Sequence, residues 1–413
     1  MSDWLQHAKA RAEQQHFWSP QQKLALQQLQ TRPWPSRKVE QWKYTPVNAI
    51  ERGAFAQKPA FAAQVSPLAG QETLDIVFVN GELQSQPQSL PAGLSIHSLT
   101  EHAQAGWAAD YFAQCKPDRH LFGLVNDCLA DNGVIIDIAT ESKIALPLRI
   151  INVVSQDAEV HNRVLVRVGD GASVSVIEQA EGNESSLLTA FAEYFVGASA
   201  KLEHYRFALR IRDAISVGGS HFKLQKEAQL NSTVVGFGSV LSRLDVDVMH
   251  CGENAFAKIN AIYLLDGEEI FDLHSNIEHE IGHCVTDETV RGIVGGKAKA
   301  VFNGRIHIHR DAQKTLAELS NKNLLLADTA QVNTKPELEI YADDVRCAHG
   351  ATVAELDKAA LYYLTSRGIS KEQALIMLNF GFVNALVDEM PNQHLAEWLR
   401  PQLQNRFAQM QVG

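Results

Sequence analysis

The sequence predicts a mainly β chain, a right-handed parallel β-helix (β-solenoid) core with α-helical regions at both ends. Three observations predict it. From about Gly133 to Val345 helical periodicity gives way to short β-rich runs separated by small polar turns. Alanines at turn exits recur at Ala172, Ala200, Ala228 and Ala255, spaced 28, 28 and 27 residues apart, a period suited to one solenoid coil. Helical patterns flank this stretch, where an open coil would otherwise expose core and unpaired strand edges. A two-sheet sandwich is the competing architecture on pattern alone.

The N-terminal region, residues 1–125, reads as helical and mixed. Ser2 to Gln15 forms one helix. Ser19-Pro20-Gln21-Gln22 then supplies an N-cap, a proline at the first helical position and a capping-box glutamine. That second helix runs to about Gln30 and stops before Pro33 and Pro35. Arg37 to Thr45 carries Trp42 and Tyr44 among alternating charges, an arm suited to packing on a neighbouring surface. Leu74 to Val79, followed by Asn80-Gly81, reads as a strand and a turn.

The core, residues 126–350, contains the runs Val134–Ile138, Leu148–Val154, Val164–Val168, Ser173–Ile177, Lys201–Phe207, Gln229–Val235, Ala257–Leu265 and Val301–His309. Ala298 and Ala312 lie 14 residues apart, half the longer period. The C-terminal region, residues 351–413, turns helical. Val353 to Arg367 is amphipathic and ends at Gly368. Ser370 caps a second helix with Gln373 as box partner. A very apolar stretch from Ala374 to Val387 is ended by Pro391, and a last helix runs from Gln393 to Met410.

Composition narrows the function. The 413 residues suit two or three structural units. With 37 Lys and Arg against 48 Asp and Glu, the net charge of −11 disfavours nucleic acid. The five cysteines are sparse and never form a CxxC pair, which argues for reduced thiols rather than a disulfide framework. No run reaches the ~18 apolar residues that span a bilayer. The first residues carry Asp3 and no apolar segment, so neither a signal peptide nor a membrane role is expected and the cytoplasm is the expected location.

His279-Glu280-Ile281-Gly282-His283 matches HExxH, a zinc-protease signature that requires a helix. Its surroundings are β-prone, and in a strand the two histidines would lie about 13 Å apart, too far for one zinc. His274, His279 and His283 with Cys284 remain candidates for a metal-binding surface across adjacent coils. His307 and His309 share one face of a strand, with a solvated polar face as the plainer reading. The sharpest candidate is Cys347-Ala348-His349, because thiolate and imidazole are ligands that iron and sulfide species favour. Arg346 is expected to lower the thiol pKa; a structural thiol beside a turn histidine is the alternative. No phosphate-binding loop or nucleophile elbow occurs, so any nucleotide hydrolysis must come from a partner.

Several segments resemble the SufB/SufD family. They are Val301-Phe302-Asn303-Gly304-Arg305, Ala312-Gln313-Lys314-Thr315, Asn323 to Leu326, Lys335 to Ile340 through His349-Gly350-Ala351-Thr352, Ala360 to Ile369, and Glu40 to Thr45. The resemblance spans nearly the whole chain and is closer to the SufD branch. It implies a β-helix scaffold without enzymatic activity of its own, acting in iron–sulfur cluster assembly with SufB as heterodimer partner and SufC as ATPase. It implies nascent cluster formation at the SufB–SufD interface, with His349 implicated and Cys347 beside it. It also implies SufC docking on the C-terminal helices, through Leu361, Tyr362, Leu364, Phe380 and Phe382. No stably bound cofactor is expected, only transient iron or an iron–sulfur cluster shared with SufB; flavin association is left open. Self-pairing without SufB is a further expectation. The competing readings are a β-helix carbohydrate-active enzyme, for which Asp272, Glu278 and Glu280 are the nearest carboxylates, and a passive structural partner of SufB.

Overall fold

The computed structural model describes residues 3–57, 63, 65–117 and 120–410; Ser2, the expected start of the first helix, lies outside them. Twenty strands are described: β1 (Ala56–Gln57), β2 (Leu74–Val79), β3 (Glu82–Ser85), β4 (Leu94–Ser98), β5 (Asn132–Ile138), β6 (Leu148–Val153), β7 (Ala158–Val168), β8 (Ser173–Glu181), β9 (Ser186–Val196), β10 (Lys201–Ala208), β11 (Ala214–Leu224), β12 (Gln229–Gly236), β13 (Leu241–His250), β14 (Phe256–Leu265), β15 (Ile270–His279), β16 (Val285–Val294), β17 (Lys299–Ile308), β18 (Leu316–Leu325), β19 (Gln331–Ile340) and β20 (Arg346–Glu355). The helices are α1 (Asp3–Glu13), α2 (Pro20–Thr31), α3 (Asn48–Arg52), α4 (Ala108–Tyr111), α5 (Leu121–Leu129), α6 (Lys358–Ser366), α7 (Lys371–Leu375), α8 (Gly381–Asp388) and α9 (Gln393–Ala408).

From β5 onward odd-numbered strands join one sheet and even-numbered strands the other. Each coil therefore contributes one strand to each sheet, and neighbouring coils pair in parallel, as expected for a solenoid. The register reproduces the sequence period: Lys201 lies opposite Gln229, and Gln229 opposite Phe256. The periodic alanines form a column at one corner. Lys201 N–H donates to Ala172 O at 2.8 Å, Gln229 N–H to Ala200 O at 2.9 Å, and Phe256 N–H to Ala228 O at 2.9 Å. Cys284 continues the column after Ala255, and all five side chains are fully buried. Each follows a residue in the left-handed region: Gly171, Ser199, Glu227, Asn254 and His283, with φ between +54° and +66°. That turn brings the next residue against the coil below, where only a small side chain fits.

The two sheets enclose one narrow core of alternate side chains, among them Val176, Leu202, Leu230, Ile259, Val246 and Leu273. Full burial of each such aliphatic side chain contributes about 1.5–3 kcal/mol. Antiparallel β3 and β4 finish the two sheets at the N-terminal end. The N-terminal helices cover the outer face of the odd sheet, where Trp4, Leu5, Leu29, Phe122 and Val125 pack with Leu187, Ile215 and Leu241. Buried Arg163 ties them down, pairing with Asp127 at 2.9 Å and with Glu193. The Arg37–Thr45 arm finds its surface on the same chain. Arg243 stacks 4.1 Å over the Trp42 ring, and Thr45 donates to Asp272 at 2.6 Å.

At the other end β20 continues to Glu355, so the first C-terminal helix starts at Lys358 rather than Val353. Ser370 caps α7 as expected, accepting from Gln373 N–H. The C-terminal helices do not close the solenoid. Val383, Leu386, Leu395, Leu399 and Phe407 pack with Ile262, Leu264 and Ile293 on the outer flank of the even sheet. The coil formed by β19 and β20 is left open, a correction to the expectation that both ends are covered. No helix among the described residues is long and apolar enough to cross a membrane.

Two predictions test this packing. Ala228→Leu inserts bulk into the corner column and should lose about 1–3 kcal/mol in urea unfolding, while Ala359→Leu on exposed α6 stays within about 0.5 kcal/mol. Glu288 is buried with one carboxylate oxygen unpartnered, and burial pushes its pKa up to about 7, only partly offset by the nearby Ser275 side chain. A carboxyl raised on folding favours the folded state at low pH and loses that contribution as pH rises from about 4.5 through 7. Glu288→Gln should therefore gain stability relative to the parent between pH 5 and 8, on the order of 3 kcal/mol at the upper end, read from denaturation midpoints across that range.

Candidate functional site

Cys347 and His349 lie on β20, the last strand of the even sheet. Cys347 is in register with Ala317 and His349 with Leu319, both buried core residues. By alternation, Cys347 and His349 occupy inward-facing positions. No further coil covers them, so Cys347 is half-buried and His349 exposed. Their Cα atoms are about 6.6 Å apart along the strand. Val353 continues the same face and Ile340 ends the neighbouring β19, both exposed apolar side chains. The solenoid thus ends in an apolar mouth carrying a thiol and an imidazole. Each of β19 and β20 pairs on one side only, leaving two free ten-residue edges.

Partial burial pushes the Cys347 thiol pKa up, offset in part by the Ala317 backbone N–H. The expected lowering by Arg346 is overturned: burial outweighs any effect of its exposed guanidinium. A nearby positive charge or a bound metal would favour ionisation of this thiol.

Two other groups of metal-ligating side chains come together among the described residues. On the outer face of the odd sheet, Glu278 on β15 meets His307 of β17 at 2.7 Å and His309 at 3.0 Å. Burial works to raise the Glu278 pKa, but Arg305 and the two histidines outweigh it and hold the carboxyl below its usual range. Arg305 reaches on to Glu339 at 2.6 Å on the terminal coil. Two imidazoles and one carboxylate are a donor set suited to Fe²⁺ or Zn²⁺. Inside the solenoid, His250, His279 and Cys284 place one ligand atom each within 4.8 Å of the others. Burial lowers the His250 pKa well below its ordinary value and that of His279 to about 4.

These groupings revise the expected surface. His279 ends β15 and no helix carries HExxH, so the protease geometry is absent there. His283 is exposed in the corner turn and joins neither cluster. His274 pairs instead with Asp272 at 2.9 Å. His250 went unnoticed because it sits 29 residues from His279, one coil away in register. Asp272, needed for the carbohydrate-enzyme reading, is buried against Arg243 at 3.1 Å and His274, so it offers no open acid–base pair with Glu278 or Glu280.

Of the five residues expected to face a partner on the C-terminal helices, Tyr362 is the exposed one. Tyr362 is 74% and Met377 64% exposed, with Tyr363 and Leu378 beside them in sequence. Leu361 and Leu364 are half-buried. Phe380 is buried in the chain's own helical core and Phe382 lies under Arg291 at 5.6 Å, so these two anchor the helices rather than face outward.

Comparison with known proteins agrees with this architecture. A family model described as SUF system FeS cluster assembly, SufBD core domain, matches residues 151–382. The chain is 30% identical to the iron–sulfur cluster assembly protein SufD of Escherichia coli K12, over 94% of this chain and 93% of that one. A SufBD family protein of Synechocystis is 28% identical over 89% and 86% of the two chains. SufD of Bacillus subtilis is 22% identical over 89% of each. With a parallel two-sheet solenoid, a matching core domain and a full-length relative at this identity, the chain belongs to the SufBD family of iron–sulfur cluster assembly proteins.

Proposed function

We propose that this chain is the SufD-type scaffold of a SufB–SufC–SufD complex, and that its open terminal coil is where a SufB partner docks and a nascent cluster forms. The observation that carries this is the mouth itself. Core-facing positions on the last coil hold Cys347 and His349 beside two unpaired strand edges. Strand addition supplies backbone hydrogen bonds along such edges, while the facing side chains set specificity.

Cys347 and His349 offer two ligands, fewer than an iron–sulfur species requires, so the partner completes the set. Iron and sulfide are cargo here. The His307–His309–Glu278 group, linked through Arg305 to the terminal coil, suits a first contact for incoming iron. The exposed Tyr362, Tyr363, Met377 and Leu378 suit docking of the SufC ATPase, since exposed aromatics and methionine are the residue types that anchor interfaces. Movement of those helices on ATP binding would strain the solenoid flank on which they sit and so reach the mouth. The chain then carries no catalytic residue of its own.

His349→Ala should leave complex formation with SufB and SufC intact and reduce anaerobic cluster assembly at least tenfold, followed by the cluster's visible absorption. Normal assembly by that variant would remove His349 as a ligand. Tyr362→Asp combined with Met377→Asp should weaken SufC capture more than tenfold, as loss of a central anchor costs at least about 2 kcal/mol, while the melting temperature stays unchanged.

A further inference from the structure

A second set of ligands lies two coils inside the mouth. The column that holds Cys347 continues inward through Ala317 to Thr286, and Thr286 faces two histidines. His250 ends β13, His279 ends β15, and their rings stack at 4.3 Å between centroids with planes 10° apart. Thr286 Oγ1 lies 3.0 Å from Nε2 of each. Cys284 occupies the corner column just before β16, with Sγ 3.3 Å from Gly252 O and 3.5 Å from Gly282 O. All three side chains are fully buried.

The hydrogen-bond accounting is incomplete. One hydroxyl donates to one Nε2 and accepts from the other, which fixes opposite tautomers. One Nδ1 is then a bare lone pair and the other an N–H, and both are buried without a partner. Each such orphan costs about 1–3 kcal/mol. Sequence economy gives no reason for it, because the register offers apolar solutions on either side: Leu224 precedes His250 and Ile308 follows His279 in the same column, while alanine fills the Cys284 position in four other coils.

We propose that His250, His279 and Cys284 form a buried site for one thiophilic transition-metal cation, with Thr286 as the shared acceptor that orients both imidazoles. Rotation of the two near-parallel rings turns both Nδ1 lone pairs onto the cation, so both Nδ1 orphans vanish. The imidazole that carried hydrogen on Nδ1 shifts it to Nε2, both Nε2 atoms donate to the two lone pairs of Thr286 Oγ1, and the hydroxyl hydrogen turns away from the Nε2 it had bonded, at the cost of that one hydrogen bond. The Cys284 thiol binds as thiolate and releases one proton to solvent; nothing is oxidised or reduced. Both imidazoles are already neutral, so no other proton leaves. Soft sulfur with two imidazoles selects Zn²⁺, Co²⁺ or Cu⁺ over Mg²⁺ and Ca²⁺. The site uses neither Cys347 nor His349 and stands apart from the partner interface.

The test uses the purified full chain, stripped with chelator and titrated anaerobically with Co²⁺ and separately with Cu⁺. The expected result is one ion per chain from at least one of these metals, a thiolate-to-metal absorption band, and a rise in melting temperature. Cys284→Ala should abolish band and rise, and His250→Leu should weaken binding at least tenfold. Both changes copy residues already used in the columns, and circular dichroism without metal checks that they fold. Thr286→Val should weaken binding while leaving the thiolate band, a readout that bulk destabilisation would not separate. His309→Ala should leave the band intact. No thiolate band with either metal, or a band that survives Cys284→Ala, would overturn the proposal.

Discussion

The structure depends on one constraint, the parallel ladder that locks each coil to the next at a fixed register. A coil of 26–32 residues returns the chain to the same place one strand spacing further on, about 4.8 Å away. The core between the sheets is thin, so most inward side chains meet the coils above and below as well as the opposite sheet. This explains the alanine corner, the uniform alternation, and the cost of bulk at positions such as Ala228.

The same ladder makes chemistry out of distant residues. His250 and His279, or Glu278 and His307, are paired across adjacent strands, and repetition of a residue type at the coil period turns sequence distance into contact. Polar groups inside so thin a core become expensive unless satisfied. Glu288 shows the cost through its raised pKa, and the His250–His279 pair shows it through unpartnered nitrogens. Arg163, by contrast, sits between Asp127 and Glu193 and fixes how the N-terminal helices meet the odd sheet. Buried pairs of this kind specify geometry more than they add stability.

Much of this was legible in the residues. The alanine spacing read as a coil, and the observed corner column confirms it at Ala172, Ala200, Ala228 and Ala255. Ser19 and Ser370 identified helix starts through local hydrogen bonding, which depends on neighbours in sequence. Strands such as β11 and β13 were missed because Gly218-Gly219 in β11 and charged Arg243, Asp245 and Asp247 in β13 mask the β pattern. The left-handed corner residues were hidden too: of Gly171, Ser199, Glu227, Asn254 and His283, only the first advertises its conformation. Cys347 and His349 stood out as residue types, but their place at an open mouth follows from where the ladder stops. Phe380 looked like a contact residue because hydrophobicity alone does not say which side of a helix faces the chain's own core.

The two ends of the solenoid are unlike, and this sets a limit on growth. Short antiparallel β3 and β4 end the two sheets on the N-terminal side, whereas parallel β19 and β20 leave ten-residue edges at the other. A rod with two like, sticky ends would polymerise head to tail into filaments. In the proposed pairing, a two-fold junction of mouth on mouth would consume both long edges at once and leave the N-terminal ends pointing away from it. The count would then stop at two by closure, whether the second rod is a related chain or another copy.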